Sequence, residues 1–135
     1  EWPRRRFGAR GGLLGATHPG RVPGMRRRAC GGCGGYSGAR HIIILAQAFG
    51  VEVNPHVWGS AIAQAASLQW ISAIPTTHHS IFARQPILEY DQSSHPFRRE
   101  LTTAPLELQD KMVVVPDAPG LGITIRRDTL DAYRI

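Results

Sequence analysis

The chain has 135 residues, of which 42% are hydrophobic, and it carries a formal net charge of +6. This length suits one domain with a core of moderate size. The sequence has no apolar run of the ~20 residues that a membrane-spanning helix needs, which excludes such a helix. Its Arg-rich start also lacks the apolar segment of a signal peptide, so we expect a cytoplasmic protein that is not exported.

The positive charge is concentrated at the start of the chain. Residues 1–40 hold nine arginines and one acid, Glu1, for a net charge of +8, whereas residues 41–135 have a net charge of −2. Residues 1–40 also hold 11 of the 15 glycines. Two chemically different segments therefore meet near residues 30–40.

The Arg/Gly-rich segment, residues 1–31, has three interpretations. It could be an arm that neutralises nucleic-acid phosphates with its arginines. It could be a disordered tail. It could also be the out-of-frame translation of GC-rich DNA, which yields Arg and Gly runs with almost no Lys.

Cys30 and Cys33 form a C-G-G-C motif. A redox dithiol of the thioredoxin type needs a preceding strand, and residues 25–29 do not have a strand-like composition. A zinc site needs two further ligands, and the sequence has no second C-x-x-C motif. The favoured interpretation is two loop cysteines in a reducing cytosol.

In the first predicted helix, over residues 38–49, Ser37 is the N-cap and Gly50 the C-terminal stop. Its apolar residues recur at the spacing of one helix face: Ile42, Leu45, Ala46 and Phe49. A short strand is predicted at residues 51–54. A second helix follows at residues 61–73, with Ser60 as its N-cap and Pro75 beyond its end.

The remaining elements form shorter pieces. They are a polar loop at 76–85, a strand at 86–91, a loop with one helical turn at 93–101, a hairpin of 104–108 with 111–116, a Pro/Gly turn at 117–122, a strand at 123–125 and a helix at 128–133. The alternation of helix and strand predicts a parallel α/β sheet. Two parallel strands cannot bury both of their faces, so this α/β part is expected to be a piece of a larger structure.

Two titratable residues lie at the predicted strand ends. His56 follows the first strand, and Glu89 lies near the end of the second. Chemistry in parallel α/β folds collects at the carboxyl ends of strands. Together a histidine and a carboxylic acid suit the removal of a proton next to a carboxylate. From spacing alone, a structural hydrogen-bonding role for His56 and a solvated or paired surface position for Glu89 are the more common interpretations.

Four stretches of the sequence carry a family resemblance. They are "GCGGYSGARHIIILAQAFGVEVNPHVWGSAIAQAASLQWISAIP", "PILEYD", "HPFRREL" and "VPDAPGLGI". In this order they resemble the C-terminal part of the mandelate racemase/muconate lactonizing enzyme family of the enolase superfamily. The likeness is closest to acid-sugar dehydratases and galactarolactone cycloisomerases.

The resemblance implies a fold. Residues 32–103 would be the end of a modified TIM barrel, with the predicted strands as its seventh and eighth, and residues 104–135 would return to an α+β capping domain. It also implies a site, in which His56 is the general acid/base and Glu89 the acid of the eighth strand. Trp58 and Ser60 would shape the loop and helix start behind His56.

The resemblance also implies a Mg²⁺-dependent parent enzyme acting on sugar acids, which is expected to be a homo-oligomer without membrane contact. The family's Asp that orients the histidine belongs to a Pro-Asp pair, and Arg28 and Ala29 stand in its place. Because Glu1 is the only acid before residue 41, the family's three metal carboxylates have no counterpart here. We therefore expect a C-terminal fragment that is inactive alone. The alternatives are a non-catalytic remnant and an Arg-rich nucleic-acid-binding module.

Overall fold

The computed structural model describes residues 6–11, 25–28, 30–75 and 87–135. Its elements, in chain order, are β1 (Arg6–Gly11), β2 (Met25–Arg28), a 3-10 turn (Cys30–Cys33), α1 (Gly35–Ala48), β3 (Glu52–Pro55), α2 (Ala61–Ser72), β4 (Leu88–Tyr90), α3 (Pro96–Arg99), β5 (Met112–Val114) and α4 (Arg127–Ala132). The predicted loop at residues 76–85 and the first residue of the strand predicted at 86–91 lie outside the described residues.

The strands form two small sheets that meet at one point. β3 pairs in parallel with β2. β4 pairs in parallel with β1, and β1 pairs antiparallel with β5. A single parallel bridge between His56 and Glu89 joins the two sheets just beyond β3. The carboxyl ends of β3 and β4 therefore lie side by side.

Strands β1 and β2 lie within residues 1–31, where the sequence analysis expected none. Their Arg/Gly composition has low strand propensity, so their pairing with β4 and β3 defines them rather than their own sequence. Whether this segment is native or out of frame stays a prediction.

Helix α1 differs from its prediction at its start and in its buried face. It begins at Gly35 after a left-handed Gly34, and Ser37 lies inside the first turn instead of capping it. The predicted stripe is half wrong: Phe49 is 80% and Leu45 is 59% exposed, whereas Ile42 and Ala46 pack against the core as predicted. The face that packs inward carries Ala39, Ile42, Ile43 and Ala46.

The end of α1 is as predicted. Gly50 has a φ of 63°, which favours glycine. Its N–H donates to the Gln47 carbonyl at 3.1 Å, and the Val51 N–H donates to the Ala46 carbonyl at 2.8 Å. This is the Schellman pattern, which satisfies the last carbonyls of the helix and turns the chain into β3.

Helix α2 contributes more buried hydrophobic residues than any other described element, and it follows its prediction closely. The Ser60 hydroxyl accepts a hydrogen bond from the Ala63 N–H, which confirms the N-cap. Leu68, Trp70 and Ile71 are almost completely buried, and burying such a side chain stabilises the fold by about 1.5–3 kcal/mol. They belong to the same core cluster as Val53 of β3 and Leu88 of β4, which lie in different sheets, so α2 packs against both sheets.

Two corrections concern the C-terminal part. The predicted hairpin has its tight turn, in which Asp110 and Lys111 both adopt positive φ and Gln109 exchanges two hydrogen bonds with Met112. Its first arm, residues 104–108, is not a strand, because β5 pairs with β1 instead. The strand predicted at 123–125 is a single bridge from Ile125 to Thr102.

Side-chain hydrogen bonds hold the first arm in place. The Gln64 amide and the Tyr90 hydroxyl both donate to the Leu106 carbonyl, at 3.2 and 3.0 Å. The two bonds to Leu106 take the place of a strand ladder in the first arm. At the end of the second arm, the Gln69 amide donates to the Pro116 carbonyl at 3.0 Å.

Candidate active site

The structure brings His56 and Glu89 into direct contact. His56 directly follows β3, and Glu89 is the central residue of β4. The His56 Nδ1 atom lies 2.7 Å from the Glu89 Oε2 atom, and the side chains are 39% and 30% exposed. The pair is therefore formed and still open to solvent from one side.

The contact couples the position of the imidazole proton to the charge of Glu89. When the Glu89 carboxylate is ionised it can only accept, and the Nδ1–H then donates to it. In the neutral imidazole the Nε2 atom then keeps its lone pair and can accept a proton. After it does so, the carboxylate faces an imidazolium, which it stabilises electrostatically.

Asn54 fixes the spacing of the two strands that carry this pair. Its Oδ1 atom accepts a hydrogen bond of 2.9 Å from the Ile87 N–H, just before β4. Asn54 lies two residues before His56, and Ile87 lies two residues before Glu89. Two contacts, separated by two residues on each strand, therefore hold the same register: the Asn54–Ile87 hydrogen bond and the His56–Glu89 contact.

The other residues of this joint are mainly structural. Trp58 is 69% exposed beyond His56, and Val57 between them is buried in the core. Ser60 caps α2, as predicted. The apolar Val57 anchor and the helix start at Ser60 hold the loop in which His56 lies.

Sequence reasoning missed a buried cluster behind the pair. The Arg98 side chain of α3 is 6% exposed and forms an ion pair with Asp91, whose side chain is 9% exposed. The Arg98 Nη1 atom also donates to the carbonyl and hydroxyl of Ser93, at 2.6 and 3.1 Å. Its Nε and Nη2 atoms donate to the Gly59 carbonyl, at 3.2 and 3.0 Å. Arg98 lies in the HPFRREL stretch, which stood out only through its family likeness and carries no local sign of a buried arginine.

The environment of Asp91 stabilises its charged form. Burial raises the pKa of Asp91, but the hydrogen bonds from Ser93 and the adjacent Arg98 charge outweigh burial and leave that pKa below its ordinary value. The Ser93 N–H donates to the Asp91 Oδ1 atom at 2.8 Å. Asp91 and Arg98 therefore form a charged and hydrogen-bonded pair inside the protein.

The described residues do not provide a metal centre. Within these ranges, no three or more His, Cys, Asp or Glu side chains are grouped in a way that could hold an ion. In the same part of the chain, no helix combines the length and apolarity needed to cross a bilayer.

Comparison with known proteins identifies the family. Residues 29–129 match the family described as enolase C-terminal domain-like. The chain belongs to this family. The resemblance to mandelate racemase and muconate lactonizing enzymes is thereby confirmed, and the fold is that of an enolase-superfamily C-terminal domain with mixed helices and strands.

Two curated relatives act on sugar acids or their lactones, by their names. D-galactarolactone cycloisomerase of Agrobacterium fabrum is 39% identical over 124 residues, which are 92% of this chain and 32% of the relative. D-gluconate dehydratase of Thermoproteus tenax is 29% identical over 101 residues, 75% of this chain and 19% of the relative. The chain thus spans a third or less of their length. The first alignment covers more than residues 32–135, so it reaches into the Arg/Gly-rich segment.

Solved structures show the same fold. The 3,6-anhydro-D-galactonate cycloisomerase from Zobellia galactanivorans has a TM-score of 0.62 and 30% identity, over 74% of this chain and 26% of that one. A mandelate racemase/muconate lactonizing enzyme from Jannaschia sp. CCS1 has a TM-score of 0.66 and 28% identity, over 83% and 26%. The roles of His56 and Glu89 stay predictions.

Proposed function

We propose that this chain is the C-terminal part of a sugar-acid enzyme of the enolase superfamily, in which His56 moves the proton α to a substrate carboxylate. The observation that supports this most is the 2.7 Å contact between His56 Nδ1 and Glu89 Oε2 at adjacent strand ends. The two residues that the sequence singled out for proton transfer are 33 positions apart and meet in the fold.

The reaction begins with a proton transfer. The Nε2 atom of His56 takes the proton from the α carbon, and the electrons of the broken C–H bond move onto the substrate carboxylate. Glu89 holds the imidazole through Nδ1 and stabilises the imidazolium. In its acid form, Glu89 would instead donate a hydrogen bond to the developing enolate oxygen, the role that its position on β4 suggests.

The outcome after proton removal depends on the substrate. A β-hydroxyl group leaves in a dehydratase, a lactone rearranges in a cycloisomerase, and the proton returns to the other face in a racemase. All three reactions share the removal of the α proton. We therefore propose sugar acids as the substrate class and α-proton removal as the step, and we do not propose one product.

The parent enzyme is proposed to complete the site. In it, β3 and β4 are the seventh and eighth strands of a modified TIM barrel, and residues 104–135 return toward a capping domain. A Mg²⁺ ion there would supply stabilisation of negative charge at the substrate carboxylate. We propose that its ligands belong to the part of the parent that this chain does not span. We further propose a cytoplasmic homo-oligomer as the parent.

A chimera tests this function. Residues 30–135 replace the matching segment of the Agrobacterium fabrum cycloisomerase, and turnover of D-galactarolactone is measured. His56→Asn in the chimera is expected to lower kcat by about 10²–10⁴-fold, the usual contribution of a general acid or base. His41→Asn, on the exposed side of α1, is the matched control. Equal turnover by the two variants would contradict the proposal.

A further inference from the structure

Arg98 contacts both loops that follow the site strands. Gly59, whose carbonyl accepts two of its hydrogen bonds, lies three residues after His56. Asp91, its ion-pair partner, lies two residues after Glu89. One buried side chain therefore spans the gap between the loop of the histidine and the loop of the glutamate.

The chemistry of this contact requires a guanidinium. Its planar fork directs Nε and Nη2 at one carbonyl, Nη1 at Ser93 and Nη2 also at Asp91. A lysine ammonium has three donors at one point and cannot reach three partners on different sides. Because the side chain is buried, its bonds are protected from competition with water.

We propose that Arg98 is a positioning residue that holds the His56 loop against the Glu89 loop and so keeps the Nδ1 to Oε2 hydrogen bond formed. The catalytic use of that bond rests on the proposed function, but the bond itself does not. Arg98 acts through the loops, since its guanidinium contacts Gly59, Ser93 and Asp91.

The tautomer of His56 reports this role directly. While Glu89 accepts from Nδ1, the neutral imidazole is held as the Nδ1–H form, whereas an unconstrained imidazole prefers the Nε2–H form. Two-dimensional ¹H–¹⁵N NMR of the full chain, at a pH where imidazoles are neutral, gives the ratio of the two forms. His56→Gln assigns the signal.

Arg98→Lys keeps the positive charge and removes the fork. The expected result is a fall of about fivefold in the ratio of Nδ1–H to Nε2–H for His56, the factor of one ordinary hydrogen bond. Arg99→Lys, on the exposed side of the same helix, is the matched control and is expected to leave the ratio unchanged. An unchanged ratio in folded Arg98→Lys would overturn the proposal.

Asp91→Asn is the second variant; it keeps the side-chain shape and the Arg98 bonds to Gly59 and Ser93, and removes the charge that pairs with Arg98. We expect a smaller fall in the same ratio. If both variants lose the fold, Arg98 is a structural residue only, and the positioning role is rejected. Since no substrate enters this measurement, its failure leaves the chimera test of the proposed function intact, and the reverse also holds.

Discussion

At the scale of single residues, His56 and Glu89 meet because the backbone brings their Cα positions opposite each other. The parallel bridge and the Asn54 hydrogen bond fix the strand register without involving the side chains of His56 and Glu89. The sequence predicted both residues at strand ends. It could not predict their contact, because that depends on whether β3 and β4 are neighbours.

Arg98 shows the opposite case. Arginines are mostly exposed in proteins, so nothing local in HPFRREL indicates a buried one. Its partners, Gly59 and Asp91, come from two other loops, and only the fold brings these together. A residue that works through distant backbone atoms leaves no spacing pattern in the sequence.

The first residue-scale prediction concerns acid stability. Because the pKa of Asp91 is lower in the folded protein than its ordinary value, the pair contributes stability at pH values above the unfolded pKa of about 3.9. This contribution is lost as the pH falls through the folded pKa. Thermal unfolding between pH 7 and pH 2 is expected to show a fall in Tm in this acid range.

Asp91→Asn tests whether Asp91 contributes to this fall in Tm. We expect it to lower the free energy of unfolding at pH 7 by about 3–5 kcal/mol, since it leaves the Arg98 charge buried without its partner. It is also expected to flatten part of the acid transition. Asp117→Asn, at an exposed aspartate, serves as the control. An unchanged acid transition in Asp91→Asn would show that other carboxylates govern it.

At the scale of elements, the two long helices were predicted with different success. The start of α2 follows from Ser60, because a capping hydroxyl is a local signal. The buried face of α1 was predicted correctly for Ile42 and Ala46 only, since residues 42–45 are four consecutive apolar residues and fit several faces. Tertiary packing selects the face with Ala39 and Ile43, which periodicity could not decide.

The start of α1 provides an element-scale prediction. A Cβ atom on Gly38 would collide with the backbone carbonyl of Cys33. Gly38→Ala gains about 1 kcal/mol in helix propensity but incurs an overpacking cost of about 1–3 kcal/mol, so a net loss of stability is expected. Urea unfolding followed by circular dichroism measures it.

Gly32→Ala is the control for this variant. A Cβ atom on Gly32 meets nothing within 4 Å, and the residue is exposed. Its free energy of unfolding is expected to stay within about 0.5 kcal/mol of the parent value. Equal stability of the two variants would show that the 3-10 turn does not pack against α1 as described.

At the scale of the whole molecule, we propose that the chain supplies one part of an enzyme site. It spans 32% of the cycloisomerase and 19% of the dehydratase to which it is related. The proposed pair is present, whereas the described residues hold no metal centre. That the metal ligands lie elsewhere in the parent stays a prediction of the family resemblance; no local pattern of the sequence indicates it, because metal ligands in such folds come from separate strands.

The isolated chain is therefore expected to be inactive. Incubation with Mg²⁺ and a set of sugar acids and lactones, followed by mass spectrometry, should show no dehydration, cycloisomerisation or racemisation above the buffer control. The His56→Asn chain is the matched sample. Mg²⁺-dependent turnover that is lost in His56→Asn would contradict this expectation and show that this chain completes a site by itself.

Exchange of the substrate's α proton with solvent tests most directly whether His56 moves that proton. The chimera with the Agrobacterium fabrum cycloisomerase is placed in D₂O with substrate, and deuterium at the α carbon is measured by NMR. If His56 removes the α proton, we expect deuterium incorporation in the chimera and in His41→Asn, slower incorporation in Glu89→Gln, and none above background in His56→Asn. Undiminished incorporation in His56→Asn would contradict it, because another group would then be the base.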